Sequence, residues 1–393
     1  MEYMERVHNA VAQISDEVKN LTLEIHANPE LGMQEYKACA LQIELLKKHG
    51  FEITEKFCDI DTAYKACYKS AKPGPKIAML AEYDALPNIG HACGHNLIAM
   101  VACGAGLAMR EFADELGGEI YVIGTPAEET VGAKAKMAAA GAFDDMDVAM
   151  MSHPGYFDSE SMDTLAIKSV TFDFYGKTAH ASGFPQDGIN ALDAVINCFN
   201  LLNALRQQTQ EDARIHGIIT HGGDAPNVIP DHTQAYFYVR AAKIDYLEKL
   251  FEKVCDCARA AAMGTGCRLE IKLGEGQFCD TNSNRALTAL NTKNMELLGV
   301  PMMRAWDKPL AGSSDMGNVS YRCPGIQSLF DINHFQYVTG HTVEFAELAK
   351  SEYAMEKALL CIKGHVLTAI DLMSDPSHLK AIHEEFAKIS RRP

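Results

Sequence analysis

The sequence predicts an α/β protein in which a mostly parallel sheet, covered by helices, is interrupted by a smaller α+β domain. Three observations carry this expectation. Helix-like and strand-like patterns alternate through residues 1–164, as they do where parallel strands are joined by covering helices. Residues 165–276 then follow the order strand, helix, strand, strand, helix, strand, which is the ferredoxin-like split βαβ arrangement. Helical and strand patterns resume over residues 277–393. A chain of 393 residues also exceeds the size at which a single core keeps growing. We therefore expect one domain built from residues 1–164 and 277–393, with residues 165–276 inserted into it.

In the first part, apolar residues at helical spacing predict helices over residues 7–28 and 36–49. Residues 63–70 read as a strand running into the turn Lys72-Pro73-Gly74-Pro75, and residues 76–81 as a buried strand. Residues 97–112, rich in Ala, Met and Gly, predict a tightly packed helix; a strand over 119–124, a helix near 133–140 and a strand over 147–151 follow. In sheets of this kind reacting groups gather beyond the carboxyl ends of the strands, where Asp84, Glu128, Glu129 and His153 fall. In the insertion, residues 169–175 alternate as a half-exposed strand, 191–205 read as a helix, and 215–220 and 233–241 as strands. A helix over 245–263 and a strand over 267–273 complete it. Beyond it come a helix over 285–298, a strand over 326–331 and a long helical tract over 343–372.

Composition excludes several functions. Acidic side chains outnumber basic ones by 52 to 36, for a formal charge of −16, which repels phosphate backbones and anionic lipid at long range. Neither nucleic acid nor membrane is expected as a partner. No apolar run approaches the roughly 20 residues that cross a bilayer. The acidic start Met1-Glu2-Tyr3-Met4-Glu5-Arg6 also lacks the basic and apolar segments of an export signal. The 12 cysteines are scattered through apolar segments rather than set in a dense framework, so we expect reduced thiols in a cytoplasmic protein.

The chemistry lies in four short segments. Cys93-Gly94-His95 offers a thiolate and an imidazole where glycine lets the backbone fold round an ion, although a packed cysteine beside a satisfied histidine explains the pair as well. Thr125-Pro126-Ala127-Glu128-Glu129 places two carboxylates after a buried strand. Adjacent side chains diverge there, so one can bind a metal while the other faces water; a solvated acidic loop is the alternative. His153 ends a strand and His341 precedes a helix, where a capping or a surface histidine would also fit. Taken together, Cys93, His95, Glu129, His153 and His341 are enough ligands for two cations sharing a bridge, and too many for one closed tetrahedral zinc site. Glu128 is then free to act as a general base.

Further segments extend the pattern: Glu82-Tyr83-Asp84-Ala85-Leu86-Pro87, His91-Ala92-Cys93-Gly94-His95-Asn96, Pro126-Ala127-Glu128-Glu129, Ser152-His153, Gly176-Lys177-Thr178-Ala179-His180-Ala181, Asn227-Val228-Ile229-Pro230, Gly312-Ser313-Ser314-Asp315-Met316-Gly317 and Gly340-His341-Thr342. In their order and spacing the chain resembles, over essentially its whole length, the M20 metallopeptidases. It is most similar to their aminoacylase-like amidohydrolase branch, which holds indole-acetyl-amino-acid hydrolases, aminobenzoyl-glutamate hydrolases and Xaa-Arg dipeptidases. The resemblance implies that Cys93, His95, Glu129, His153 and His341 are metal ligands with Cys93 as the bridge, and that Glu128 is the general acid and base. It makes the inserted domain a lid that pairs two subunits. His180 would then reach the partner's site to stabilise an oxyanion, Asn227 and Arg240 would contact substrate, and Ser313 and Ser314 would line the cleft. Where other branches carry a ligand histidine this chain has Glu82, and Asp84 is expected to orient a ligand. Asn96 stands where related amidohydrolases often have aspartate.

The expected activity is hydrolysis of the amide of a small N-acyl amino acid or dipeptide, with a basic C-terminal residue compatible with the acidic charge. An aminobenzoyl-glutamate-type hydrolase and a non-catalytic metal- or ligand-binding scaffold are the alternatives. Two divalent cations are expected as cofactors, zinc first on the strength of the thiolate and imidazoles, with manganese, cobalt or nickel as alternatives. A homodimer through the inserted domain is the expected assembly.

Overall fold

The computed structural model describes residues 2–304 and 312–389. In chain order the first elements are α1 (Glu2–Ala27), α2 (Tyr36–Lys48), β1 (Glu52–Glu55), β2 (Tyr64–Lys69), β3 (Lys76–Ala81), α3 (His95–Leu116), β4 (Glu119–Gly124), α4 (Ala133–Ala139) and β5 (Val148–Gly155). There follow β6 (Ala166–Tyr175), α5 (Ala191–Leu205), β7 (Arg214–His221), β8 (His232–Ala241), α6 (Ile244–Thr265) and β9 (Arg268–Leu273). The last are α7 (Arg285–Leu297), α8 (Met316–Ser320), β10 (Gly325–Asp331), α9 (Val343–Leu348), α10 (Glu352–Ser374) and α11 (Pro376–Phe386). Among the described residues, one unit comprises 2–163, 281–304 and 315–389, and the other comprises 164–280 and 312–314.

The first unit is built on a six-stranded sheet of order β1-β2-β4-β3-β5-β10. Strands β4, β3, β5 and β10 run parallel, while β1 and β2 add an antiparallel edge. The parallel strands are short apolar runs buried on both faces, as strands covered by helices must be. Helix α3 is the centre of the core and packs against α1, α10 and strands β3, β4 and β5. Its small residues permit this: a Cβ at Gly104 would lie 2.4 Å from Ile362 Cδ1 of α10, well inside contact distance. Among the described residues α3 is also the one helix long and apolar enough to cross a membrane, contrary to the expectation that no run approaches that length, and 89% of its apolar window is buried inside the protein.

The second unit is a four-stranded antiparallel sheet of order β7-β8-β6-β9, with α5 and α6 packed on it and on each other. Burial alternates strictly along β8, so one face of the sheet is core and the other is solvated. Phe172, Phe174, Phe237 and Leu247 fill that core. Asn190 caps α5 by accepting the Leu192 N–H, and Gly266 in the left-handed conformation ends α6.

Several boundaries differ from the sequence expectation. Strand β1 has only four residues, mostly exposed, and carries no apolar signal. Strand β5 continues past Met151 to Gly155, because its ladder with β10 runs on through Leu329–His153 to Asp331–Gly155. His153 therefore stands within a strand rather than beyond its end. The tract over 343–372 is two helices: Ser351 accepts the Ala354 N–H and starts α10 afresh. Asp375 caps α11 by accepting the Ser377 N–H, with Pro376 at the first helical position.

Candidate active site

Because β3, β4 and β5 run parallel and in register, the segments that leave their carboxyl ends emerge side by side. The segment after β3 carries Glu82 and Asp84 and ends at the start of α3 with Cys93 and His95; the segment after β4 carries Glu128 and Glu129. Gly94 has φ +75, and a Cβ there would lie 2.5 Å from Pro154 Cγ, so only glycine lets the Cys93–His95 turn close onto His153-Pro154. Ala127 takes φ 60 and His341 φ 63, the bends that present the carboxylate pair and the last histidine.

The structure brings all five expected ligands and Glu128 together in overlapping groups: Cys93, His95 and His153; Cys93, Glu129 and His341; and His95, Glu128 and Glu129, each with one ligand atom within 4.8 Å of the others. Cys93 Sγ is 3.5 Å from His153 Nε2, and Glu129 Oε1 is 3.0 Å from His341 Nε2. His153 Nδ1 meets the Pro154 carbonyl at 2.8 Å, so it holds the proton and leaves the Nε2 lone pair facing the thiol. Asp84 is buried and spends both oxygens on orientation: Oδ1 lies 2.9 Å from His95 Nδ1, and Oδ2 accepts the Glu129 N–H at 3.0 Å. Both oxygens are thus engaged with neighbouring residues of the cluster.

The electrostatics point to a missing positive charge. Burial opposes ionisation of His95, but Asp84, Cys93 and Glu82 outweigh it and push its pKa well above the usual histidine value. Burial, then Glu82, Asp315 and Glu129, push Glu128 well above the ordinary carboxylate range. Burial also raises the Cys93 thiol. Two buried atoms in the cluster, Glu82 Oε2 and His95 Nε2, have no hydrogen-bond partner, and Glu129 Oε1 has the ion-pair contact with His341. With His95 Nδ1 turned to Asp84, the ring in its neutral form would offer a lone pair at Nε2, 3.4 Å from Glu82 Oε2 and 3.9 Å from Glu129 Oε1. Acceptors facing one another in a dry setting are costly unless a cation lies among them, so the donor set fits divalent metal ions.

In the second unit His180 is exposed, and its Nδ1 accepts N–H bonds from Ser182 (3.3 Å) and Gly183 (3.1 Å). The proton is thus left on Nε2, pointing outward as a donor. The Asn227 carbonyl accepts the Ala181 N–H at 3.0 Å, which fixes these two segments together. Arg240 instead donates to Ser313 Oγ at 2.8 Å, and Ser314 is buried in the same segment. Arg240 pairs with Ile167 while Tyr175 and His232 pair at the other end of the sheet, beside the segment that leads to His180. At about 3.4 Å per residue the two ends are roughly 27 Å apart along β6, so the unit does not gather its four expected substrate residues at one place.

Other residues take quieter roles. His91 is buried with Nε2 3.1 Å from the Ile25 carbonyl, and burial lowers its pKa to about 3. Asn96 donates to Thr22 Oγ1 (2.8 Å) and to the Ala349 carbonyl (2.9 Å), bonds an aspartate could not donate. Asp315 is buried against Lys134 rather than lining a cleft. Two residues escaped the sequence reading. Glu35, fully buried, accepts the Ala127 N–H at 2.8 Å and the Thr62 hydroxyl at 2.9 Å, and so braces the bend that presents Glu128 and Glu129. Lys134 is buried between Glu82 and Asp315. Glu35 stands just before α2 and Lys134 in the second position of α4, and neither segment carries a motif that marks them.

Comparison with known proteins bears on this site. A peptidase dimerisation domain matches residues 165–265. Xaa-Arg dipeptidase of Homo sapiens is 35% identical over 400 residues, covering 97% of this chain and 91% of that protein. A p-aminobenzoyl-glutamate hydrolase chain of Escherichia coli (strain K12) is 26% identical, covering 93% of this chain and 91% of its own length. A Bacillus subtilis protein described as a dinuclear metal-binding peptidase of the M20 family shares the fold, with a TM-score of 0.70 at 20% identity, covering 92% of this chain and 99% of that one. Whole-length identity to a dipeptidase, with five metal-type ligands and a spare carboxylate gathered at the strand ends, leads to one conclusion: the chain belongs to the M20 family of metal-dependent peptide and amide hydrolases.

Proposed function

We propose that the chain hydrolyses the amide of a small N-acyl amino acid or dipeptide, preferring a basic C-terminal residue, with two divalent cations held by Cys93, His95, Glu129, His153 and His341. One observation carries this reading: the buried atoms Glu82 Oε2 and His95 Nε2 face each other without hydrogen-bond partners, with Glu128 and Glu129 beside them. Cys93, which like His95 and Glu129 belongs to two of the ligand groups, would be the ligand the two cations share. Zinc suits the thiolate and imidazoles first, with manganese, cobalt or nickel as alternatives. Bound cations would supply a water acidified to a pKa of about 7 and a polarised amide carbonyl.

The chain's own groups do the rest. Asp84 fixes the His95 ring and the Glu129 backbone. Glu128 takes the proton of the attacking water on its carboxylate and delivers it to the departing amine nitrogen. His180 donates from Nε2 to the oxyanion that forms on the former carbonyl oxygen. The distance between His180 and Arg240 within one inserted unit supports a homodimer in which His180 and Asn227 serve the partner's site, Asn227 contacting substrate there, while Arg240, Ser313 and Ser314 contact the other substrate. The basic preference rests on the similarity to a protein named Xaa-Arg dipeptidase. The scattered cysteines, set mostly in apolar surroundings, favour a cytoplasmic enzyme.

The test is to strip the full chain of metal, reload it with zinc or manganese, and follow the release of new primary amines. The panel holds dipeptides ending in lysine, ornithine or arginine, acyl amino acids and aminobenzoyl-glutamate. Turnover of the basic dipeptides above the others supports the reading, and preference for aminobenzoyl-glutamate moves it to the second hydrolase type, to which the Escherichia coli relative points. Full metal loading with no turnover across the panel would favour a binding scaffold, against which the spare base Glu128 argues.

A further inference from the structure

Glu82 is fully buried at the end of β3, and its two oxygens have different surroundings. Oε1 accepts from Lys134 Nζ at 2.6 Å. The same ammonium donates to Asp315 Oδ1 at 2.7 Å, and Asp315 Oδ2 accepts the Lys134 backbone N–H at 3.0 Å, so the lysine is pinned at both its side chain and its main chain. Glu82 cannot rotate without breaking a buried ion pair. Its other oxygen, Oε2, has no hydrogen-bond partner and lies 3.4 Å from His95 Nε2, which has none either. No hydrogen bond joins them across that separation, whereas two ligand atoms on one cation commonly stand about this far apart.

Resting on the reading above, we propose that Glu82 is a further cation ligand, acting through Oε2 beside His95 Nε2, and that Lys134 is the positioning residue that holds its carboxylate in that rotation. An acidic cluster alone would not carry this, since Glu82, Glu128 and Asp315 also stand within 4.8 Å of one another. The buried, unpartnered oxygen is the independent sign. The lysine also explains how three carboxylates are tolerated here, because one permanent positive charge stays among them whatever ions are bound. The consequence is chemical: one cation position is richer in oxygen than the thiolate and imidazole set alone provides, and accommodates a harder ion such as Mn2+.

The test is titration of the chelator-stripped full chain with Mn2+, following stoichiometry and affinity by calorimetry, with thermal melting to confirm folding. In Glu82→Gln, which keeps size but removes the anionic ligand, one of two Mn2+ steps should weaken about 10- to 100-fold while the other holds. Lys134→Met should weaken the same step, and Glu82→Asp should bind between wild type and Glu82→Gln. A folded Glu82→Gln protein that takes up two Mn2+ with wild-type affinity overturns the proposal. Glu129→Gln separates the two levels of inference: if it too binds both ions normally, or if the wild type binds none, the reading of the whole metal site falls. Loss in Glu129→Gln without loss in Glu82→Gln removes Glu82 alone.

Discussion

In the first unit the side chains of Glu82 and His95 are fully buried and that of Glu129 is only 10% exposed, whereas in the inserted unit His180 and Asn227 lie in the open. The buried group is a set of acceptors pointing at one another, braced from behind by Asp84 and Glu35. The exposed group is fixed by backbone hydrogen bonds and turns a donor outward. Burial makes the first set dependent on positive charge; exposure makes the second dependent on something arriving from outside. The proposed function gives these two settings different parts: ions at the buried centre, and substrate and a second copy at the exposed face.

The sharpest way to break this contrast is Glu128→Gln, which should lower turnover by about 100- to 10,000-fold while metal content stays unchanged; full activity in that variant would remove the proposed base. Next, His180→Ala should cost about 3 kcal/mol of transition-state stabilisation, roughly a hundredfold in kcat. Its melting should not change, since the side chain is exposed. A fall in stability with normal kcat would assign it to structure instead.

Burial can be tested away from the site at His365, which packs against Ser152 (2.8 Å) and whose pKa is pushed down from 6.5 to about 4 by burial. The unfolded chain takes up this proton near 6.5 and the folded one only near 4, so the folded state loses stability as pH falls through that window, by up to about 3 kcal/mol. His365→Gln should flatten that part of the stability profile in denaturant titrations; an unchanged profile would show that the histidine does not contribute. The smallest effect is expected for Glu35→Ala. Leaving the Ala127 N–H and Thr62 hydroxyl unpartnered should cost about 1–3 kcal/mol in unfolding measurements, with some loss of turnover as the Glu128 bend loosens.

The candidate ligands were legible as residue types in short distinctive segments: Glu129 follows β4, Cys93 and His95 open α3, His153 falls late in β5 and His341 precedes α9. Periodicity also gave β3, β4 and α5 their observed limits. The supports were not legible. Lys134 finds Asp315 at a separation of 181 residues and Glu35 finds Ala127 at 92, so nothing local distinguishes them from surface charges. Strand β1 is invisible for another reason: it is an edge strand whose backbone pairing, not its side chains, holds it in place.

The helix that opens on His95 is also the one around which the interior is assembled, with Asn96 stitching its first turn to α1 and to the segment following α9. Moving that imidazole would mean displacing the whole hydrophobic interior. Reactivity is thus anchored to the least adjustable element of the protein, and attempts to redirect it toward new compounds would have to leave this helix alone and work at the periphery.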